Sequence, residues 1–326
     1  MGGSTESGTG RPKASLTFAA ADGVSFATQP RKRRHGGGVA HLFGGYAFVL
    51  PALVLVAAVI YYAIWYDGVV SFSHWSGLTP TRTPAGWSNF RRAWHDPTLR
   101  AAIVHTVEFG IVTVPLQALF GFSLACLLTA RVRLSALYRA IIFIPSVLAP
   151  AVIAPMARYF LAPDGWLDEA LRFVGLTRFA TGWLGNPHTA LWALAAVNVW
   201  EWTGFSFMLY LAALTLIDRN LYEAARVDGA SAWTTMWRIA FPLARPTHTA
   251  LAILGTISTL KLFDIIYLTT VGGPGTVSEV FSTYIYRQDI ARFDVGYAAA
   301  LSVILLVIAL TVTILQLSIY RRLDRN

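Results

Sequence analysis

Apolar side chains gather into six runs along this chain, each approaching the roughly 20 residues that a helix needs to cross a hydrocarbon core. The runs cover about residues 42–66, 101–129, 140–162, 189–217, 247–270 and 297–319, with Pro, Gly and charged residues between them. This pattern predicts an all-α integral membrane protein with six transmembrane helices. The first run carries no charge and exceeds the ~7–15 apolar residues of a signal-peptide core, so it reads as a retained span. Ahead of it, residues 1–40 are rich in Gly, Ser, Thr and Ala and too poor in large apolar side chains to pack a core, which predicts a disordered tail. Residues 41–320 then form one membrane domain, interrupted by a polar loop at 218–246, and residues 321–326 form a short polar end.

Composition excludes a soluble enzyme. Of 326 residues, 55% are hydrophobic and 13% charged, and the mean hydropathy is +0.53. A net charge of +9 could attract nucleic acid, but the basic residues sit in short segments between apolar runs, so no nucleic-acid partner is expected. They instead set topology. With six spans both termini share a side; the tail, the 2–3 and 4–5 loops and the C-terminus hold sixteen Lys and Arg, against eight on the other side. Cytoplasmic segments carry the excess, which places both termini and the 218–246 loop in the cytoplasm. Trp65, Tyr66, Trp75, Trp87 and Trp94 cluster at the outer end of the first run, and residues 87–94 read as a short helix on the membrane surface. The single cysteine, Cys126, lies inside an apolar run, so neither a disulfide within the chain nor a thiolate metal cluster is expected.

The 4–5 loop is the most informative segment. Glu223, Ala224 and Ala225 favour helix, Gly229 permits a sharp bend, and Trp233, Met236, Trp237 and Ile239 recur at helical spacing until Pro242. Two short helices with a turn between them are predicted, the second ending at Pro242. Small residues Ala224, Ala225, Gly229 and Ala230 allow another protein to approach the backbone, while Glu223, Arg226 and Asp228 offer charged anchors. Such a surface is built for docking.

This segment resembles the EAA loop of ABC-importer permeases, matching its pattern at Glu223, Ala224, Ala225, Gly229, Ile239 and Pro242, with a sugar-type Asp-Gly-Ala-Ser at Asp228–Ser231. Met236 departs from the phenylalanine usual there. Gly86–Pro97, Phe263–Pro274 and Gly296–Ser302 look like other segments of the MalF-like, carbohydrate-uptake branch, so the resemblance covers nearly all of residues 42–320. It implies a MetI/MalF-like permease fold in a bacterial inner membrane. It also implies a second, related permease, two ATPase subunits that bind ATP and Mg, and an external solute-binding protein as partners. Glu223, Ala224, Ala225, Asp228, Gly229, Ala230, Ile239 and Pro242 would then couple to the ATPase.

The chain has no motor of its own. A P-loop needs a lysine after glycine, and Lys13, Lys32 and Lys261 follow Pro12, Arg31 and Leu260. No cofactor site is expected.

Ionisable side chains inside spans are costly, which marks Glu108, Arg158, Glu201, Lys261 and Asp264 as site candidates. At a rise of about 1.5 Å per residue, Glu201 lies about 18 Å and Lys261 about 13 Å from the outer ends of their helices. With Asn198, Trp200, Trp202 and Gly204 beside Glu201, this set of amide, carboxylate and ring faces suits a sugar. Glu201 pairing with Lys261, or Lys261 with Asp264, is the plain structural alternative. Arg158, near its helix end, reads as a snorkelling residue. Two rival functions remain: import of glycerol 3-phosphate or a phosphodiester, and secondary transport. The second would call for inverted repeats or broken spans, and the sequence reveals neither.

Overall fold

The computed structural model describes residues 49–129 and 133–323. The 1–40 tail with its basic run, the opening of the first apolar run, Arg131 and residues 324–326 lie outside the described residues. Residues 1–56 and 57–326 form separate units; of the first, residues 49–56 are described and are helical with exposed side chains.

In the second unit, a π turn at Ala57–Tyr61 leads into α1 (Tyr62–Val70). A small antiparallel ladder follows, β1 (Ser73–His74) against β2 (Thr83–Pro84), with Ser73 opposite Pro84. Next come α2 (Ser88–His95), α3 (Pro97–Thr129), α4 (Ser135–Val147), α5 (Pro150–Leu161) and α6 (Trp166–Phe173). Helix α7 (Ala190–Thr215) is followed by α8 (Arg219–Val227) and by α9, residues 232–243. The chain closes with α10 (Arg245–Leu260), α11 (Asp264–Thr270), α12 (Phe281–Tyr286) and α13 (Val295–Leu323).

Among the described residues, three stretches are long and apolar enough to cross a membrane unaided: Val49–Val70, Pro97–Thr129 and Val295–Arg322. Six spans result if each of three bent pairs counts as one: Ser135–Val147 with Pro150–Phe173, α7 with α8, and α10 with α11, bent by 94°, 78° and 41°. The apolar runs 140–162 and 247–270 are therefore not single straight helices but bent pairs, with breaks that the sequence did not reveal. Leu148 and Ala149 are extended, with ψ of 138° and 141°. The ring of Pro150 disfavours the helical region for the residue before it. The second break falls at Lys261–Phe263, where Phe263 takes φ −133° and ψ −55°.

The core forms along α3 and α7. One buried cluster joins Phe109, Ile153, Leu194 and Ile266, uniting α3, α5, α7 and α11. A second joins Phe122, Phe207, Tyr210, Leu214, Ala240 and Leu251 near the 4–5 loop. A third packs α2 and α12 on α3 and α13 through Ala93, Leu99, Phe281, Tyr284 and Tyr297. Polar bonds lock this third region. Arg92 pairs with Asp294 at 2.5 Å and lies over the Tyr297 ring. Asp96 caps α3 through the N–H groups of Thr98 and Leu99 and also accepts the hydroxyls of Tyr284 and Tyr297. Burial pushes the Asp96 carboxyl up, but those four donors outweigh it and hold it below the usual carboxylate value. Glu279, 2% exposed, pairs with Arg287 at 2.5 Å. Burial raises its carboxyl to about 7 against the pull of Arg287 and Arg292.

Candidate functional site

The site has two parts: the 4–5 loop and a cavity at the breaks.

The loop forms the two short helices its sequence predicts. Asp218 caps α8, its Oδ1 accepting from Asn220 N at 2.9 Å. The helix ends in a Schellman turn: Ala230 N–H donates to Ala225 O at 2.9 Å and Gly229 N–H to Arg226 O at 3.1 Å. Gly229 sits at the left-handed position of that turn with φ +75°. Ser231 then caps α9, its Oγ accepting from Thr234 N at 3.1 Å. Pro242 does not end this second helix. A π turn at Met236–Ala240 precedes it and the helix continues to Leu243; the kink falls at Ala244, with φ −83° and ψ 8°. A π turn disposes of the hydrogen bond that the proline nitrogen cannot donate.

Among the loop residues, Glu223, Ala224, Asp228 and Gly229 are exposed, Ala225 is buried, and Ala230, Ile239 and Pro242 are half-buried. Apolar side chains stand out beside them: Leu221 is 48% exposed, Trp233 69% and Val227 88%. The outward face thus combines charge, bare backbone and apolar surface.

The cavity, of about 300 Å³, lies among α3, α7, α10 and the segment that joins α10 to α11. It collects Asn198, Glu201, Trp202, Lys261 and Asp264 from the sequence-predicted set. Residues 198, 201, 202 and 205 follow helical spacing, so they share one face of α7. Two predicted residues do not belong. Trp200 projects elsewhere and is 53% exposed. Gly204 serves the crossing with α4: a Cβ there would collide with the Ile142 carbonyl and lie 2.7 Å from Ser146 Oγ. Ser146 pins that crossing, donating to Glu201 O at 2.5 Å and accepting from Phe205 N at 3.0 Å. Glu108 is exposed on α3, and Arg158 is exposed and lines a separate concavity with Thr269 and Gly273.

The expected alternative, an ion pair between Lys261 and Glu201 or Asp264, does not form. Among the described residues the ion pairs are Arg92–Asp294, Arg172–Asp164 and Arg287–Glu279. Glu201 is 4% exposed, and among the described residues no donor engages its carboxylate. Five further polar residues line it that the sequence pattern does not mark: Thr113, Gln117, Ser206, Ser258 and Thr259 line the cavity. Gln117 donates to Asn198 Oδ1 at 3.0 Å and so orients that amide. Both helix breaks border this cavity, through Pro150 and through Lys261–Asp264. Irregular backbone at membrane depth is tolerated where it lines such a space.

The fold thus joins apolar helices, bent pairs around a cavity and an exposed loop of two short helices. Residues 117–325 match the family described as binding-protein-dependent transport system inner membrane component, and the chain belongs to that family. It is 30% identical over 279 residues to the probable ABC transporter permease protein YurN of Bacillus subtilis, covering 85% of this chain and 95% of that one. The lactose transport system permease protein LacF of Rhizobium radiobacter is 32% identical, with 83% and 92% covered. The trehalose/maltose transport system permease protein MalF of Thermococcus litoralis is 31% identical, with 85% and 94% covered. In fold, the chain is similar to a bacterial ABC transporter that imports the acidic polysaccharide alginate, with a TM-score of 0.75, 24% identity, and 87% and 97% covered. The chain is therefore a permease subunit of a binding-protein-dependent ABC importer, a transport component and not itself the ATPase.

Proposed function

We propose that this permease carries an uncharged or weakly charged sugar, and that the cavity beside Glu201 contacts it. The carrying observation is the charge of the lining: Glu201 and Asp264 face a single Lys261, among Trp202, Phe205, Asn198, Gln117 and Ser258. Two carboxylates against one ammonium repel a phosphate, which disfavours glycerol 3-phosphate and phosphodiesters. Aromatic rings offer faces for pyranose stacking, and the amides and hydroxyl offer directional bonds to sugar hydroxyls. Relatives whose names specify the neutral disaccharides lactose and trehalose/maltose support this reading.

The exposed face of α8 and α9, around Glu223, Ala224, Asp228 and Gly229, docks the ATPase, which holds ATP and Mg. Ala225, Ala230, Ile239 and Pro242 shape that face from within. The excess of Lys and Arg on the loop side supports a cytoplasmic loop, with both termini also cytoplasmic. A second, related permease closes the other half of the pathway, and an external binding protein delivers the solute. Closure of the ATPase must bind the loop differently from the open state, or hydrolysis could not shift the permease equilibrium.

Uptake by a strain deleted for this chain, with and without the chain restored, tests the cargo. Labelled neutral disaccharides and sn-glycerol 3-phosphate are compared. A neutral disaccharide should enter several-fold faster in the restored strain. Restoration of glycerol phosphate uptake alone would contradict the sugar reading.

A further inference from the structure

Five rings from four helices pack into one cluster: Phe122 on α3, Tyr210 on α7, Trp237 and Phe241 on α9, and His248 on α10. Phe122 and Tyr210 are each 1% exposed. The cluster sits where the 4–5 loop returns to the helices that line the cavity.

Phe122 touches the other four rings, and His248 touches three of them. The His248 contacts are the ones that reach across the loop. The His248 ring lies 4.3 Å from Phe241, 5.2 Å from Tyr210 and 5.9 Å from Phe122. Both ring nitrogens are engaged: Nδ1 with Tyr210 Oη at 2.7 Å, and Nε2 with the Phe241 carbonyl at 2.9 Å. A carbonyl only accepts, so Nε2 carries the proton. The neutral ring then has a lone pair at Nδ1, which takes the Tyr210 O–H. One tautomer of one residue joins α9 to α7 through α10.

The joint spans the kink at Ala244. Backbone bonds across the kink are local: Ala244 N donates to Ala240 O and Phe241 O, and His248 N donates to Ala244 O. Left with those alone, α9 could swing about Ala244 without moving α10. The His248–Phe241 bond reaches seven residues across the kink and braces it. We propose that His248 is the positioning residue that transmits movement of the 4–5 loop to α7 and α10, and so to the cavity. This rests on the reading of the loop as the ATPase dock.

The test uses the complex co-purified with its ATPase in lipid nanodiscs, with Cys126→Ser and a reporter, Ser258→Cys, in the cavity. Labelling of the reporter by fluorescein maleimide is compared before and after trapping with ATP, Mg and vanadate. The parent complex should show a several-fold difference. His248→Asn keeps an oxygen for the Tyr210 hydroxyl but cannot reach the Phe241 carbonyl; it should trap vanadate normally and lose the difference. His248→Gln places an N–H where Nε2 was and should retain at least half of it. A His248→Asn complex that keeps the full difference overturns the proposal. Should that variant fail to assemble, Tyr210→Phe decides, because it keeps the rings and removes only the hydroxyl; an undiminished difference there also overturns it. Gly229→Asp, measured alongside, should lose the difference. If it kept the difference with normal trapping, the docking reading itself would fail, whatever His248 does.

Discussion

Gly229→Asp should abolish import while the protein reaches the membrane in normal amounts. What surrounds position 229 decides this. Its φ of +75° strains an L-residue, but Asp tolerates that region better than most, at about 1 kcal/mol. Among the described residues nothing lies within 4 Å of a Cβ built there. A side chain at 229 therefore meets no obstacle until another protein covers the turn. Desolvating an unpaired carboxylate at that contact costs about 3 kcal/mol or more, roughly a hundredfold in uptake. Glu223→Lys, on the same exposed face, should fail likewise. Uptake assays with membrane-fraction immunoblots check this; normal uptake in both variants would remove the loop from the mechanism.

Glu201→Leu has the second large effect. The carboxylate is buried against the cavity with no donor among the described residues, so its bonding capacity is available to a solute. A hydrogen bond to a charged acceptor contributes about 1.5–3 kcal/mol, so KM for uptake should rise roughly 10- to 150-fold. Glu201→Gln retains an acceptor and should lie much nearer the parent. Trp200→Leu, on a different face of the same helix, should change KM less than about twofold, because surface substitutions away from such features cost within about 0.5 kcal/mol. Equal losses in Glu201→Leu and Trp200→Leu would show that the cavity face has no special role.

The loop was readable because its physics is local. Helix formers at Glu223–Ala225, a glycine at a left-handed turn and a Ser231 cap each act within a few residues. The cavity was half readable. Helical spacing puts Asn198, Glu201 and Trp202 together and separates Trp200, but it does not reveal which face a neighbouring helix will cover. Gly204 was read as solute-facing, and α4 covers it instead. Gln117, four residues after Thr113 in an apolar run, is the signal that the sequence carries for the α3 side of the cavity. The helix breaks needed Pro150 to be weighed as a disruptor of the residue before it, and the second break involves Lys261 and Asp264 at the cavity. Such breaks thus fail to separate a secondary transporter from this family; the loop separates them.

The most direct measurement of the central claim is to tag the C-terminus, extract the chain in mild detergent from its native membrane, and identify what accompanies it by mass spectrometry. The account predicts an ATPase with a Walker-A motif, a second permease of the same family and a solute-binding protein whose bound ligand is a sugar. A chain that purifies alone and still transports would contradict it.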